Sequence, residues 1–418
     1  MSKLEELIQQ CCPDGVEWKP LGELGNFYSG LSGKTKSDFT GGNEKFISYV
    51  NVFNNPSLKT DVPERVKIAE GEKQNTIQYG DILFTGSSET PDECGMSSVL
   101  THTIEEKLYL NSFCFGFRFF DLSDKCPSFM KYLFRSTNIR KTICKTANGV
   151  TRYNISKKEF AKIKIPIIPL PVQEEIVRIL DAFTELQAEL QAELQKRLQQ
   201  YNYYRDNLLT NFTPEQAPKE YTLGEVTVDI YSGATPSKEK REYWVNGTIP
   251  WMSSGEVNLG QVYEVEGRIT QLGYDKCSTK MVPEGSVVIA LAGQGKTRGT
   301  VAILRTSVCT NQSLAALVPQ KEIVSGEYLY YYLKTQYAKL REVSAGDGTR
   351  GGLNLKMLRA YKVVIPSHKA QDQIVSILDR FDSLTNDLTS GLPAEIEKRR
   401  QQYEYYRDKL LTFKRKGA

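Results

Sequence analysis

The chain has 418 residues, 40% hydrophobic and 25% charged, with a formal net charge of only +4. That is ordinary globular composition, enough for two or three domains, and it excludes a fibrous or low-complexity chain. No apolar run approaches the roughly 18 residues of a membrane span, and MSKLEELIQQ is too charged for a signal peptide. Eight scattered cysteines without C-x-x-C, and two histidines (His102, His368), argue against structural zinc and a disulfide scaffold. Reduced thiols in a cytoplasm are expected, with no metal and no membrane partner.

In chain order, an N-terminal segment (1–16) precedes a first mixed globular domain (17–165). Its last stretch is one-sidedly basic: from Lys125 to Lys164 there are 11 Lys or Arg against the single acid Glu159. A run of that kind repels itself unless an anion lies against it, and phosphate is the usual candidate; a solvated basic helix face is the alternative. Within it, PSFMKYLFRSTNIRKTICKTANG predicts one aromatic-studded helix ending at Gly149. A short loop with Thr151-Arg152 follows, and a further helix begins near Asn154. Lys145, Thr151 and Arg152 are candidate DNA contacts, because arginine can clamp a phosphate or read guanine bidentately.

Residues 166–212 predict a long helix. From Val172 to Asn211 there is no Gly or Pro, good helix formers dominate, and apolar residues recur at spacings of three and four, including Ile176, Leu180, Phe183, Leu190, Leu194 and Tyr204. About 40 residues make a rod of roughly 60 Å, too long for one small domain to cover, so the stripe asks for a helical mate. Its middle, LQAELQAELQ (Leu186 to Gln195), repeats one four-residue unit. A proline-bounded linker follows (213–218).

The second globular domain (219–365) repeats the plan. SGEYLYYYLKTQYAKLREVSAGDG predicts another aromatic helix ending at Gly, then a loop with Thr349-Arg350 and a helix from Asn354. ALAGQGKT (Ala290 to Thr297) touches a phosphate-binding-loop pattern, which would make the chain a nucleotide hydrolase. RGTVAILRT alternates like a strand, however, where that site requires a helix. A hairpin loop offering Lys296 and Arg298 to DNA is the better expectation. Residues 366–413 then predict a second long helix, with Ile374, Leu378, Phe381 and Tyr406 on its apolar face and a break at Gly391-Leu392-Pro393. A tail (414–418) ends the chain.

The two halves are duplicates. QEEIVRILDAFTEL at Gln173 returns as QDQIVSILDRFDSL at Gln371, 198 residues on, and QQYNYYRDNLLT at Gln199 returns as QQYEYYRDKLLT at Gln401, 202 residues on. Leu21-Gly22-Glu23 recurs at Leu223 to Glu225, and NISKKEFAKIKIP aligns with NLKMLRAYKVVIP. No G-x-S-x-G, H-E-x-x-H or dinucleotide-binding turn is present. The pattern is that of a reader without a catalytic engine; a purely structural coiled-coil scaffold is the other possibility.

Two globular domains alternating with two near-identical helices, QEEIVRILDAF and QYNYYRDNLL against QDQIVSILDRF and QYEYYRDKLL, closely resemble the specificity subunit of type I restriction-modification enzymes. The resemblance covers essentially the whole chain. It implies an α+β fold: two tandem target-recognition domains separated by two long helices packed as an antiparallel coiled coil, with pseudo-two-fold repetition. It also implies a non-catalytic subunit that reads a split site on double-stranded DNA, one half-site per domain. Two modification subunits using S-adenosylmethionine would be recruited, with restriction subunits using ATP and Mg2+; this chain itself would bind no cofactor.

If the helix pair measures the distance between half-sites, the four-residue unit has a meaning. One LQAE unit adds about 6 Å and about 40° to a helix. One base pair adds about 3.4 Å and about 34 to 36°, so the rotation matches and the translation does not. Deleting Leu190 to Glu193 is expected to change the spacer of the methylated motif and leave both half-sites intact, read by methylome sequencing; an unchanged spacer would refute it.

Overall fold

The computed structural model describes residues 2–293, 297–344, 352–386 and 391–417. They form two compact units, Met1–Leu190 with Ile396–Ala418, and Gln191–Glu395. Each unit therefore holds one globular domain, part of its own long helix and part of the other copy.

The first unit carries a four-stranded antiparallel sheet in the order Gly25–Ser29, Cys114–Phe119, Ile82–Thr85, Ser97–Val99. Beside it lies a three-stranded sheet in which Phe46 and Ile47 pair in parallel with Tyr109 and Leu110. The second unit repeats this with Thr227–Ser232, Leu314–Pro319, Val287–Ala290 and Val301–Leu304, and the matching parallel pair sets Trp251 and Met252 beside Cys309 and Thr310. The central strands Ile82–Thr85 and Val287–Ala290 are buried throughout, which is why they read as short unbroken apolar runs rather than alternating ones. The strand after the glycine-rich loop, Val301–Leu304, is observed as expected. Gly299 N–H donates to Ala290 O (2.9 Å) across a hairpin, so no helix N-terminus follows that loop and the nucleotide-hydrolase alternative loses its basis.

Two expectations need correction. The aromatic segment of the first domain is two helices, Pro127–Leu133 and Thr137–Cys144. The chain turns at Ser136, whose Oγ donates to Leu133 O (2.7 Å) and competes with the helical ladder. In the second domain the segment likewise divides into Gly326–Thr335 and Tyr337–Val343. Thr151-Arg152 does not lead directly into a helix near Asn154 either. It caps a hairpin between Ala147–Asn148 and Tyr153–Ile155, and the helix begins at Lys157. In the second domain the helix does start at Leu355, capped by Asn354 Oδ1, which accepts from Met357 N–H (2.9 Å).

The first long helix runs Leu170–Thr210, and the second is divided into His368–Asn386 and Leu392–Leu410, with Pro393 in the opening turn of the last piece, where a missing N–H costs nothing. Each copy is rooted in its own domain by a buried glutamine. Gln173 accepts from Cys126 N–H (2.9 Å) and donates to Ile168 O (2.7 Å) and Asp124 O (2.8 Å). Gln371 accepts from Ser325 N–H (2.9 Å) and donates to Pro366 O (3.0 Å) and Ile323 O (2.9 Å). One turn on, Ile176 and Leu180 are fully buried in the first domain's core, as Ile374 and Leu378 are in the second's. The same two cores also take in residues of the other helix copy: Leu411 belongs to the cluster of Ile176 and Leu180, and Tyr201 and Leu209 to that of Ile374 and Leu378.

Farther along, the two copies meet each other. Phe183 stacks on Tyr406 (centroids 5.5 Å apart) in the first unit, and Phe381 stacks on Tyr204 (5.6 Å) in the second. The start of each copy thus packs on the end of the other, the pairing of an antiparallel coiled coil. Leu190 and Leu194 are half-buried.

The N-terminal helix Lys3–Cys11 is tied to the long helix through Glu175, only 4% exposed, which takes Arg178 at 2.7 Å and Lys3 at 3.0 Å. Arg178, and after it Lys3, hold that carboxyl down to about 2 from an ordinary 4.5. A folded-state pKa below the unfolded one gives stability that is present above the unfolded value and lost as pH falls through the folded one. Acidification from about pH 4.5 to about 2 is therefore expected to lower the amide-exchange protection factors of Lys3–Cys11, taken relative to intrinsic exchange at each pH; Glu175→Gln should abolish that pH dependence, and an unchanged profile would refute the assignment.

Candidate nucleic-acid interface

The basic run of the first domain divides into two groups once folded. Lys125 pairs with Asp124 and lies over Phe119, and Lys131 bonds Asp181 on the long helix (2.7 Å). Arg135 donates to Ser97 O, Val52 O and Phe53 O, and loss of water pushes its guanidinium down to about 10. Arg140 donates to the carbonyls of Asp92 (2.8 Å), Cys94 (2.7 Å) and Gly95, and burial lowers its pKa as well. These cations are consumed inside the protein, where backbone carbonyls and acids replace their hydration. The inference from the whole run to an anion is corrected accordingly. Lys141, Lys145, Arg152, Lys157, Lys158, Lys162 and Lys164 remain exposed, Lys162 paired with Glu159 (2.8 Å).

Arg152 and Thr151 sit at the hairpin tip and line a cavity of about 940 Å³ together with Tyr49, Phe113, Glu89 and Ser87. Arg152 donates to Ser87 Oγ (3.2 Å) and lies over the Phe113 ring at 5.5 Å, a cation–π arrangement that holds the guanidinium at the rim. Phe113 and Val50 are 57% and 62% exposed, unusual for apolar residues around one concavity. Two bonds brace the walls: Tyr49 Oη donates to Ser87 O (2.8 Å), and Cys94 Sγ to Tyr153 O (3.1 Å). Lys145 caps the preceding helix and is exposed, but it is not among the residues lining this cavity.

In the second domain, Arg298 lies in the hairpin loop, its carbonyl accepting from Arg341 (3.3 Å). Lys296, Thr349 and Arg350 lie outside the described residues. The sequence reading missed a groove of about 600 Å³ that presents Lys238, Arg241, Asn311 and Gln312 around Trp244 and Trp251, whose rings meet edge to face at 5.2 Å. It also missed Tyr49, Phe113 and Glu89. No pattern marks them, because an aromatic residue on a rim and one in a core look alike in sequence.

A protein with two duplicated domains, each bearing loop cations beside an aromatic concavity and each rooted to a long helix, belongs to the class of bipartite recognition proteins. The type I restriction modification DNA specificity domain matches residues 13–200 and again 218–398. The chain is 40% identical over 266 residues to the EcoR124I/EcoR124II specificity subunit of Escherichia coli, covering 62% of this chain and 65% of that one. It is 30% identical over 426 residues, 98% of each chain, to a Haemophilus influenzae protein assigned as a type I restriction enzyme specificity subunit. Its fold is similar to that of the type I S subunit from M. genitalium (TM-score 0.53, 17% identity, covering 95% of this chain and 96% of that one). It is also similar to a chain solved in work on assembly of the type I R-M system (TM-score 0.62, 20% identity, covering 96% and 98%). The chain belongs to the type I restriction-modification specificity subunit family, whose members recognise DNA rather than catalyse.

The two fates of the cations make a testable contrast. Arg140→Met strands three carbonyls and is expected to cost about 1–3 kcal/mol, whereas Lys145→Ala should change stability by less than about 0.5 kcal/mol. Denaturant unfolding of both variants reads the difference; equal effects would refute it.

Proposed function

We propose that the chain reads a split target on double-stranded DNA, one half-site per domain, and holds two modification subunits on its duplicated helices. Lys145, Thr151 and Arg152 in the first domain, and Lys296, Arg298, Thr349 and Arg350 in the second, are the proposed DNA contacts. The methyl donor S-adenosylmethionine, and the ATP and Mg2+ of restriction, belong to the partner subunits, and the complex works in the cytoplasm.

The observation that carries the reading is the duplicated root. Two glutamines with matching hydrogen bonds dock each long helix to its own domain in the same way, so two recognition surfaces come with two equivalent helical platforms. Equivalent platforms suit two copies of one partner, and unlike concavities suit unlike half-sites. The exposed cations supply the sequence-independent attraction to phosphate, and the cavity residues supply the discrimination between bases.

Methylome sequencing of cells expressing this chain with its modification subunit, against cells lacking this chain, tests the whole reading. A split motif carrying N6-methyladenine and dependent on this chain is expected; no new methylation from a soluble, associated complex would overturn it. In the same complex, Lys145→Ala should weaken binding to all sequences alike and lower the slope of log affinity against log salt by about 1. An unchanged slope would remove Lys145 from the contacts.

A further inference from the structure

We propose that Glu89 determines specificity in the first domain by accepting a hydrogen bond from the exocyclic amine of a base, cytosine or adenine, in that domain's half-site. The inference rests on the reading that this domain contacts DNA. Glu89 follows the short strand Ser87–Ser88, which pairs with Tyr153 and Asn154, precedes the helical turn Pro91–Glu93, and lines the same cavity as Arg152 and Phe113. It is exposed, and among the described residues it has no hydrogen-bond or ion-pair partner. The other acid of that cavity, Glu93, already accepts from Ser88 Oγ (3.1 Å).

A carboxylate facing DNA is repelled by phosphate and offers only acceptors, so it is tolerated where a donor meets it. The donors on base edges in the major groove are the amines of cytosine N4 and adenine N6, and a Glu accepting from cytosine is a recurring pairing. Arg152, lining the same cavity, supplies the complementary donor set.

The segment from Ser87 to Gly95 is also held more rigidly than a surface loop needs to be. Arg140 takes the carbonyls of Asp92, Cys94 and Gly95. Thr85 Oγ1 accepts from Met96 N–H (2.9 Å), and Ile155 N–H donates to Gly86 O (2.9 Å). A guanidinium withdrawn from water to fix one loop is what a reading head requires, since a base-specific contact must be positioned within a fraction of an ångström. Arg140 is thus a positioning residue and Glu89 the contact.

The test is methylome sequencing of the complete complex carrying Glu89→Ala or Glu89→Gln, both at an exposed site. Exchange of residues 17–165 for the matching segment of the E. coli relative identifies the half-site read by the first domain. Glu89→Ala should relax a single position of that half-site, lowering discrimination there by about 10-fold or more, and leave the other half-site and the spacer unchanged. Glutamine pairs bidentately with adenine, so Glu89→Gln should convert the position to adenine if the wild-type base is cytosine and preserve it if the base is adenine. A wild-type motif left intact by Glu89→Ala, or relaxed in the other half-site, would overturn the inference while the function stands. Absence of any methylation from the wild-type complex would overturn the functional reading and this inference with it.

Discussion

The arrangement depends on one buried carboxamide in each half. Gln173 and Gln371 sit where a globular domain ends and a long helix begins, with 1% and 0% of their surface exposed. Each satisfies an N–H and two carbonyls that the chain leaves open at that junction. A buried polar group left unpaired costs about 1–3 kcal/mol, so three such groups strongly favour one exit angle for the helix. Two turns later Asp181 takes Lys131 and Tyr132, and Asp379 takes Tyr331 (2.6 Å). Once those bonds are made, the helix can present Phe183 or Phe381 to the other copy.

The cations of the first domain show why a charge count does not identify a binding face. Arg135 and Arg140 are spaced like surface residues and were grouped in sequence with Lys145 and Arg152. Their guanidiniums lie inward because Ser97, the helix Tyr49–Asn54 at Val52 and Phe53, and the segment Asp92 to Gly95 offer them carbonyls. Arginine's planar fork can serve several such acceptors at once. The same property that suits arginine to phosphate suits it to an interior full of carbonyls, and sequence spacing does not separate the two.

The two domains diverge in the side chains that line their concavities. The first places Phe113, Tyr49 and two carboxylates around Arg152; the second places two tryptophans and two amides near Lys238 and Arg241. Beneath these surfaces the sheets, parallel strand pairs and rooted helices repeat. The duplicated scaffold thus carries unlike concavities on like frameworks.

The repeat, the helical rods, the strand after the glycine-rich loop and the break before Pro393 were all legible in the sequence, because each is a local property: periodicity, propensity, or the presence or absence of Gly and Pro. The apolar stripe was legible too, but not that Ile176 and Leu180 would share one buried cluster with the domain's own core and with Leu411 of the other copy, while Phe183 stacks on Tyr406. Which arginines are spent on carbonyls, which aromatics stand at a cavity rim, and that Glu89 and Arg152 share one concavity were decided by tertiary structure alone. Those facts depend on contacts between segments tens of residues apart, where the partner supplies the solvation and the chain carries no local mark of it.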